Sequence, residues 1–390
     1  MAIKCDILVI GAGPAGSSAA RAAAINGAKT IFIDKKKEVG IPVKCAEGIG
    51  KYLFPYLPFK IPKEQLRWRI DGMIFLAENI SIKREGEIWD GYTVDREKFD
   101  KWLSTLAIRE GAKLFLDTEL IDFDIKNDEV KKAIIRRNEK LIEIEPKVII
   151  GADGVESTVL KLLGEYKPKR GHISEVHSWE MKNLKLKNPH FEQIYIGDFT
   201  PSGYAYIFPK SRTEANVGVG GIFPERKLEH YFEEFLNIKQ VKEQLKDAKF
   251  VNERSKKAVV GDITNKWIHG NVLLAGDAAN HSLKPFIEGI LPAIISGNLA
   301  GELAAKMHKG EEVKMGHYLE SIEKSLHPHF RASKELEEII KRWFETKGRE
   351  KHLLFLGLVT GLFELERLDE IEEMSYEALE AKLLEAKNGI

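Results

Sequence analysis

Cysteine is almost absent: Cys5 and Cys45 are the only two in 390 residues. Two thiols cannot ligate a four-cysteine iron–sulfur cluster, and no Cys/His pairs stand at zinc-ligand spacing, so no metal site is expected. A surplus of either charge is also missing. Lys plus Arg and Asp plus Glu both number 60, a formal net charge of zero, so the basic excess that marks a nucleic-acid partner is not there. Long apolar runs are lacking too. The most apolar one, LLFLGLVTGLF at residues 353–363, falls well short of the ~20 residues a membrane-crossing helix needs. The N-terminal run at residues 5–10 leads into a glycine loop rather than a small-residue cleavage site, and reads as a buried strand, not a signal peptide. A soluble protein, or one peripheral to a membrane, is expected.

The chain is long enough for two or three domains. Its first 35 residues hold a complete nucleotide-binding unit. An apolar strand at 5–10 is followed by Gly11-Ala-Gly13-Pro-Ala15-Gly16, an alanine-rich helix over 17–26, Gly27 as its terminator, a second apolar strand at 30–33, and Asp34-Lys35. Gly11 permits the tight turn, Gly13 lets backbone approach a pyrophosphate, and Gly16 lets the helix pack on the strand. The helix N-terminus offers free N–H groups to phosphates. Asp34, 23 residues beyond Gly11, is placed to accept from ribose hydroxyls. A lone GxGxxG is weak evidence; strand, glycine turn, helix, strand and acid in order are not.

Two later strand ends decide between cofactors, and both do so by likeness. Residues 148–157 (VIIGADGVES) and 271–279 (NVLLAGDAA) resemble the second and third fingerprints of the hydroxylase-type FAD family, so Asp153, Gly276 and Asp277 are expected on FAD. By the same likeness Arg96, opening a helix, faces the flavin; its bland alternative is a surface arginine at a helix start. Leu120, ending a strand over 113–120, places backbone beside the adenine.

Two segments narrow the family. Residues 201–209 (PSGYAYIFP) resemble the geranylgeranyl reductase signature P-x-x-Y-x-W-x-F-P, with Tyr206 at the tryptophan position. Period-two spacing puts Tyr204, Tyr206 and Phe208 on one strand face. Such a face lines a slot for an apolar chain or packs into a core. Buried tyrosine hydroxyls need partners, which favours the cavity wall. Residues 44–49 (KCAEGI) carry the Cys-x-x-Gly of archaeal members. The resemblance implies that Cys45, Ala46 and Gly48 touch FAD, with Cys45 near the reacting centre; its plain alternative is a small buried residue. After the third fingerprint the chain departs from the family's Asn-Pro and small residues: LKPFIEGI at 283–290 keeps Pro285, Gly289 and Ile290, while Phe286 and Ile287 make the surroundings bulkier and drier.

The resemblance to archaeal geranylgeranyl reductases spans residues 1–310 in motif order. It implies an α/β fold: a Rossmann-type FAD-binding domain (1–60, 92–170 and 258–312), an inserted antiparallel β-sheet substrate domain (61–91 and 171–257), and a C-terminal helical region (313–390). It implies hydride transfer from reduced FAD to the isolated alkenes of geranylgeranyl chains, those of digeranylgeranylglycerophospholipid being favoured. Cys45, Tyr206 and water stay open as proton donors. The electron donor is left open among nicotinamide, deazaflavin and ferredoxin. A cytoplasmic location with peripheral contact at the inner face of the membrane fits such a substrate. The apolar stretch 343–363 is placed to cover a substrate tunnel, pack a dimer or rest on a bilayer. Rival readings are an FAD monooxygenase, a flavoprotein passing electrons to quinone, and a prenyl carrier using FAD as structure.

Overall fold

A computed structural model describes residues 2–86, 88–200, 202–326, 329–345 and 348–388. Four-residue strands with every side chain buried, Ile7–Ile10, Thr30–Ile33 and Val148–Gly151, form the middle of a six-stranded sheet. Its order is Ile268–His269, Val272–Leu274, Val148–Gly151, Ile7–Ile10, Thr30–Ile33 and Lys113–Phe115. All pairs are parallel except the first. Continuous apolar runs are what burial on both faces demands. Helices Pro14–Ile25 and Ile290–His308 pack backbone to backbone on one face: a Cβ at Gly297 would stand 2.2 Å from the Ala15 carbonyl oxygen, and one at Gly301 2.3 Å from that of Ala19. The carboxyl ends of four strands therefore deliver Gly11, Asp34, Ala152 and Ala275 to one edge, where doubly wound sheets collect ligands.

The first helix begins at Pro14, three residues ahead of the expected Ser17, because proline suits the opening turn of a helix. The strand expected over 113–120 is two. Lys113–Phe115 stays in the parallel sheet, Asp117 turns the chain at φ 49°, and Thr118–Lys126 enters a separate four-stranded sheet with Glu129–Arg137 and Lys140–Glu145. Leu120 therefore lies inside the second strand and does not end the first.

The aromatic strand Gly203–Pro209 is central to a seven-stranded sheet, in the order Lys249–Val259, Ile173–Lys182, Glu214–Gly221, Gly203–Pro209, Phe191–Ile196, Gly72–Ala77 and Ile80–Glu85. It is antiparallel apart from one parallel pair, Phe191–Ile196 with Gly72–Ala77, which joins segments more than a hundred residues apart. Of the 61–91 stretch, Leu66–Ile70 goes elsewhere, to a three-stranded sheet with Gly91–Val94 and Gly48–Gly50. Alternation splits the large sheet. Ala205, Ile207, Val217 and Val219 pack under helix Leu228–Leu236, while Tyr206, Phe208, Ile194 and Phe75 face the C-terminal helices. Helix His329–Glu345 ties the two cores, with Phe330 in the nucleotide core and Trp343 and Phe344 on the sheet. Leu353, Phe355 and Leu356 of helix Glu350–Val359 are fully covered there. The apolar C-terminal stretch is thus consumed in packing over the aromatic sheet face. Among the described residues no helix is long and apolar enough to cross a membrane.

Candidate active site

Two cavities meet beside Cys45. The larger, about 900 Å³, runs from the first glycine turn along the sheet edge. The smaller, about 390 Å³, lies against the aromatic face of the seven-stranded sheet. Cys45, Val176, Lys256, Ala258, Ile287, Gly289 and Ile290 line both and form the passage between them.

The larger cavity is the more polar of the two and is built on strand ends. Gly11 adopts φ +104°, and a Cβ there would strike the Ala152 carbonyl oxygen at 2.4 Å, so the turn is closed to other residues. A Cβ on Gly13, the N-cap of the first helix, meets no atom within 4 Å: a side chain there would project into the cavity and not into protein. Asp34 holds the loop by accepting from Ala12 N and Lys36 N, each at 2.9 Å. Asp34, Lys35 and Leu120 line one end of this cavity; Asp277, Gly289 and Ile290 line the other. Asp153 accepts from Ser157 Oγ at 2.7 Å and Val159 N at 3.0 Å, while burial pushes its carboxyl upward. Arg96 forms a bidentate pair with Asp100 at 2.8 and 2.7 Å. Burial opposes its charge, but Asp100 and the neighbouring Cys45 hold its pKa above the ordinary value. Gly16 and Gly276 do not face the cavity. A Cβ on Gly16 would overlap the Gly11 oxygen, and Gly276 packs on Ala15 while its N–H donates to Ser296 Oγ at 3.2 Å.

The segment 45–48 separates the cavities. Cys45 Sγ accepts from Glu47 N at 3.2 Å. Ala46 and Gly48 line the smaller cavity. What holds this segment is a buried charge cluster that sequence reasoning missed. Glu47 has a positive φ of 73°, and its carboxylate accepts from Lys210 Nζ at 2.5 Å, Asn216 Nδ2 at 2.9 Å, Arg96 N at 3.0 Å and Arg254 Nη1 at 3.1 Å. Glu180 pairs with Arg254 at 2.5 Å, so two acids balance two bases. Arg254 and Asn216 also donate to the carbonyls of Cys45 and Ala46, at 2.9 and 2.8 Å. Burial opposes ionisation of Glu47, but Lys210 and Arg254 outweigh it and hold its pKa at about 2. No periodicity signals such a cluster, since its members come from three strands and two loops that are far apart in sequence.

The smaller cavity is aromatic. Tyr204, Tyr206 and Phe208 line it together with Trp89, Phe286 and Met73. Tyr204 OH donates to the Phe286 carbonyl at 2.8 Å, and Tyr206 reaches Ser178. Burial raises both phenols, Tyr206 to about 12. The divergent loop 283–290 closes on itself through paired Leu283–Glu288 backbone bonds at 2.9 Å. Glu288 then ties it to the 48–50 strand and its neighbour, accepting from Gly50 N at 2.8 Å and Tyr52 OH at 2.7 Å. Phe286 packs with its ring centroid 5.8 Å from Phe75 and 6.1 Å from Tyr204. The departure from the family pattern therefore builds an aromatic end wall.

A polar cleft of this length fits FAD: an open phosphate cradle at Gly13, a carboxylate at the Asp34 end and a narrow exit at Cys45. Fold and site together define an FAD-dependent oxidoreductase. Residues 6–155 match the FAD dependent oxidoreductase family, and residues 173–256 match the geranylgeranyl reductase catalytic domain. The chain is 35% identical over 320 residues to a digeranylgeranylglycerophospholipid reductase of Methanococcus aeolicus, covering 81% of this chain and 80% of that one. It is 32% identical over 388 residues to one of Methanocaldococcus jannaschii, covering 99% and 92%. The crystal structure of a geranylgeranyl bacteriochlorophyll reductase-like protein of Thermoplasma acidophilum matches with a TM-score of 0.79 at 25% identity, over 99% of this chain and 97% of that one. The chain belongs to the digeranylgeranylglycerophospholipid reductase family, and its cofactor is FAD.

Proposed function

We propose that this protein saturates the isoprenoid C=C bonds of geranylgeranyl chains, those of digeranylgeranylglycerophospholipid, using reduced FAD. Bound in the larger cavity, reduced FAD supplies hydride. Gly11, Gly13, Ala15, Asp34, Lys35, Leu120, Asp153, Asp277 and Ile290 would hold it along that cavity, with Arg96 beside Cys45 at its inner end. Gly16 and Gly276 would act by shaping the turn and the helix contact. Ala46 and Gly48 would meet it from the smaller cavity's side.

The observation that carries the reading is the passage at Cys45, where a cofactor-sized polar cleft opens into a narrow aromatic cavity. An isolated alkene has no carbonyl to store charge, so its reduction passes through cationic character. The faces of Tyr204, Tyr206 and Phe208 would stabilise that character in a pocket covered on one side by helices His329–Glu345 and Glu350–Val359. Cys45 would keep the passage small, with Arg96 and Lys256 beside it. The electron donor is a nicotinamide, a deazaflavin or a ferredoxin, and the lipid is taken up by peripheral contact with the inner face of the cell membrane.

The test uses the purified holoprotein, reduced anaerobically with dithionite and mixed with a digeranylgeranyl glycerolipid. Mass spectrometry of the recovered lipid is expected to show gains of hydrogen in pairs as the flavin reoxidises. Unchanged lipid beside a stably reduced flavin would count against the reading.

A further inference from the structure

Strand Phe191–Ile196 alternates between the two faces of the large sheet. Ile194 and Ile196 lie in the apolar cluster with Tyr206 and Phe208, while Tyr195 lies under the helices of the other face. The same period places Glu192 with Ile194 and Ile196, where an apolar residue would be expected. The register that sets Ile194 opposite Tyr206 brings Glu192 level with Phe208. Its carboxyl lines the smaller cavity and reaches the 45–48 segment: Oε1 lies 2.6 Å from where a Cβ on Gly48 would stand. Among the described residues, burial and the charge of Glu288 are what act on it, with no hydrogen-bond donor beside them. The neighbouring acids are all engaged, Glu47 by its charge cluster and Glu288 by Gly50 and Tyr52. Half-buried on the cavity wall, its carboxyl faces the space a substrate would fill.

The geometry points to Glu192 as the general acid of the reduction, the group that gives a proton to the alkene carbon opposite the one that takes hydride. The inference rests on the prenyl-reductase reading above. Saturating one C=C bond adds one hydride and one proton. The hydride would come from bound reduced flavin, which would be oxidised in turn; the O–H bond of Glu192 would break as the alkene π pair forms the second C–H bond, and Glu192 would be left as carboxylate until water re-protonates it. Burial, and then the proximity of Glu288, raise its pKa to about 8, so it carries its proton at neutral pH. The other candidates are poorer. Tyr206 stands at about 12, Tyr204 is raised also and committed to Phe286, and Cys45 Sγ accepts from Glu47 N–H. The groups facing Glu192 are Glu288 and Tyr204, with Tyr52 behind Glu288 and Lys256 and His329 on the cavity walls. Lys284, also on the wall, donates to Asn280 Oδ1 and Ser282.

Glu192→Gln and Glu192→Asp would be compared with the wild type in the anaerobic lipid assay. General acids contribute about 10²- to 10⁴-fold, so Glu192→Gln should slow lipid saturation by about that factor, with the bound-FAD absorbance spectrum unchanged. Glu192→Asp should retain part of the rate. Wild-type lipid saturation should decline as pH rises past about 8. Infrared titration of the protein without lipid should show a carboxylic acid signal lost over the same range and missing from Glu192→Gln. If the wild type saturates the lipid and Glu192→Gln matches it, the acid role fails while the reductase reading stands. A wild type that leaves lipid unchanged overturns both. Should Glu192→Gln not fold, an Asp variant with an unaltered rate and pH profile overturns the inference by itself.

Discussion

Glu47 and Glu192 flank the same few residues of backbone and are treated in opposite ways. Glu47, between Cys45 and Gly48, is surrounded by two cations and two further donors and stays ionised down to about pH 2. Glu192, across Gly48 in the aromatic cavity, has none and keeps its proton to about pH 8. Burial alone raises both; the difference is whether the surroundings return the lost solvation. The larger cavity and its border follow the Glu47 pattern, with Asp34, Asp153 and the Arg96–Asp100 pair all hydrogen-bonded. In the smaller cavity Glu288 is likewise engaged, by Gly50 N and Tyr52 OH, and Glu192 stands apart. One region is built to hold a charged ligand still, the other to keep an apolar chain dry beside a proton. Two carboxyls driven apart by environment mark a division between structural and chemical work.

The comparison breaks most visibly at Glu47. Glu47→Ala would leave Lys210 and Arg254 with a charge excess in a closed cluster, and losing one member of a buried pair costs about 3–5 kcal/mol. Denaturant unfolding of the holoprotein should show that loss, together with release of FAD as the 45–48 segment loosens. The two acids also predict opposite slopes with pH. Glu47 is a stronger acid folded than its usual 4.5, so its stabilisation is complete above pH about 4.5 and is lost as pH falls toward 2. Glu192 is a weaker acid folded; it costs stability as pH rises from its ordinary range, levelling near pH 8. Unfolding free energies of wild type and Glu192→Gln should therefore diverge on the alkaline side, while those of wild type and Glu47→Gln should converge on the acid side.

A smaller effect separates cradle from scaffold in the larger cavity. Gly13→Leu adds a side chain with φ −72°, a conformation any residue adopts, into space where no atom lies within 4 Å. FAD affinity should drop at least about tenfold, equivalent to about 1.4 kcal/mol, while unfolding of the apoprotein loses no more than about 1 kcal/mol, the cost of an unfavourable N-cap residue. Fluorescence titration with FAD reads the first and denaturant melts the second. Unchanged FAD affinity would remove Gly13 from the cradle.

How much was legible beforehand follows from range. The nucleotide unit is a local pattern, with strand, turn, helix and strand contiguous in the first 35 residues, and its architecture stands as expected. Alternation placed Tyr204, Tyr206 and Phe208 on one face. Errors came at interruptions: Asp117 at positive φ broke one expected strand into two that belong to different sheets. The charge cluster was not legible, because Glu47, Glu180, Lys210 and Arg254 are separated by up to 207 residues and each looks like ordinary surface charge in sequence. Glu192 did leave a trace, an acid at an inward position of an otherwise apolar alternation. Without knowing which face was covered, that trace reads as solvent exposure.

The smallest prediction tests whether the aromatic wall works through its rings or its hydroxyls. Tyr204→Phe keeps the ring stacked near Phe286, 6.1 Å between centroids, and removes only the O–H donated to the Phe286 carbonyl. That carbonyl then lacks a side-chain donor, at a cost of about 1 kcal/mol in unfolding free energy. If the wall stabilises cationic character through ring faces, lipid saturation should persist within about threefold, since the face and its quadrupole are intact. If instead the phenol is the proton source, the rate should fall by the ~10²-fold or more of a lost general acid, and Glu192 would lose its role to Tyr204. The two outcomes are far enough apart for one turnover measurement on lipid to separate them.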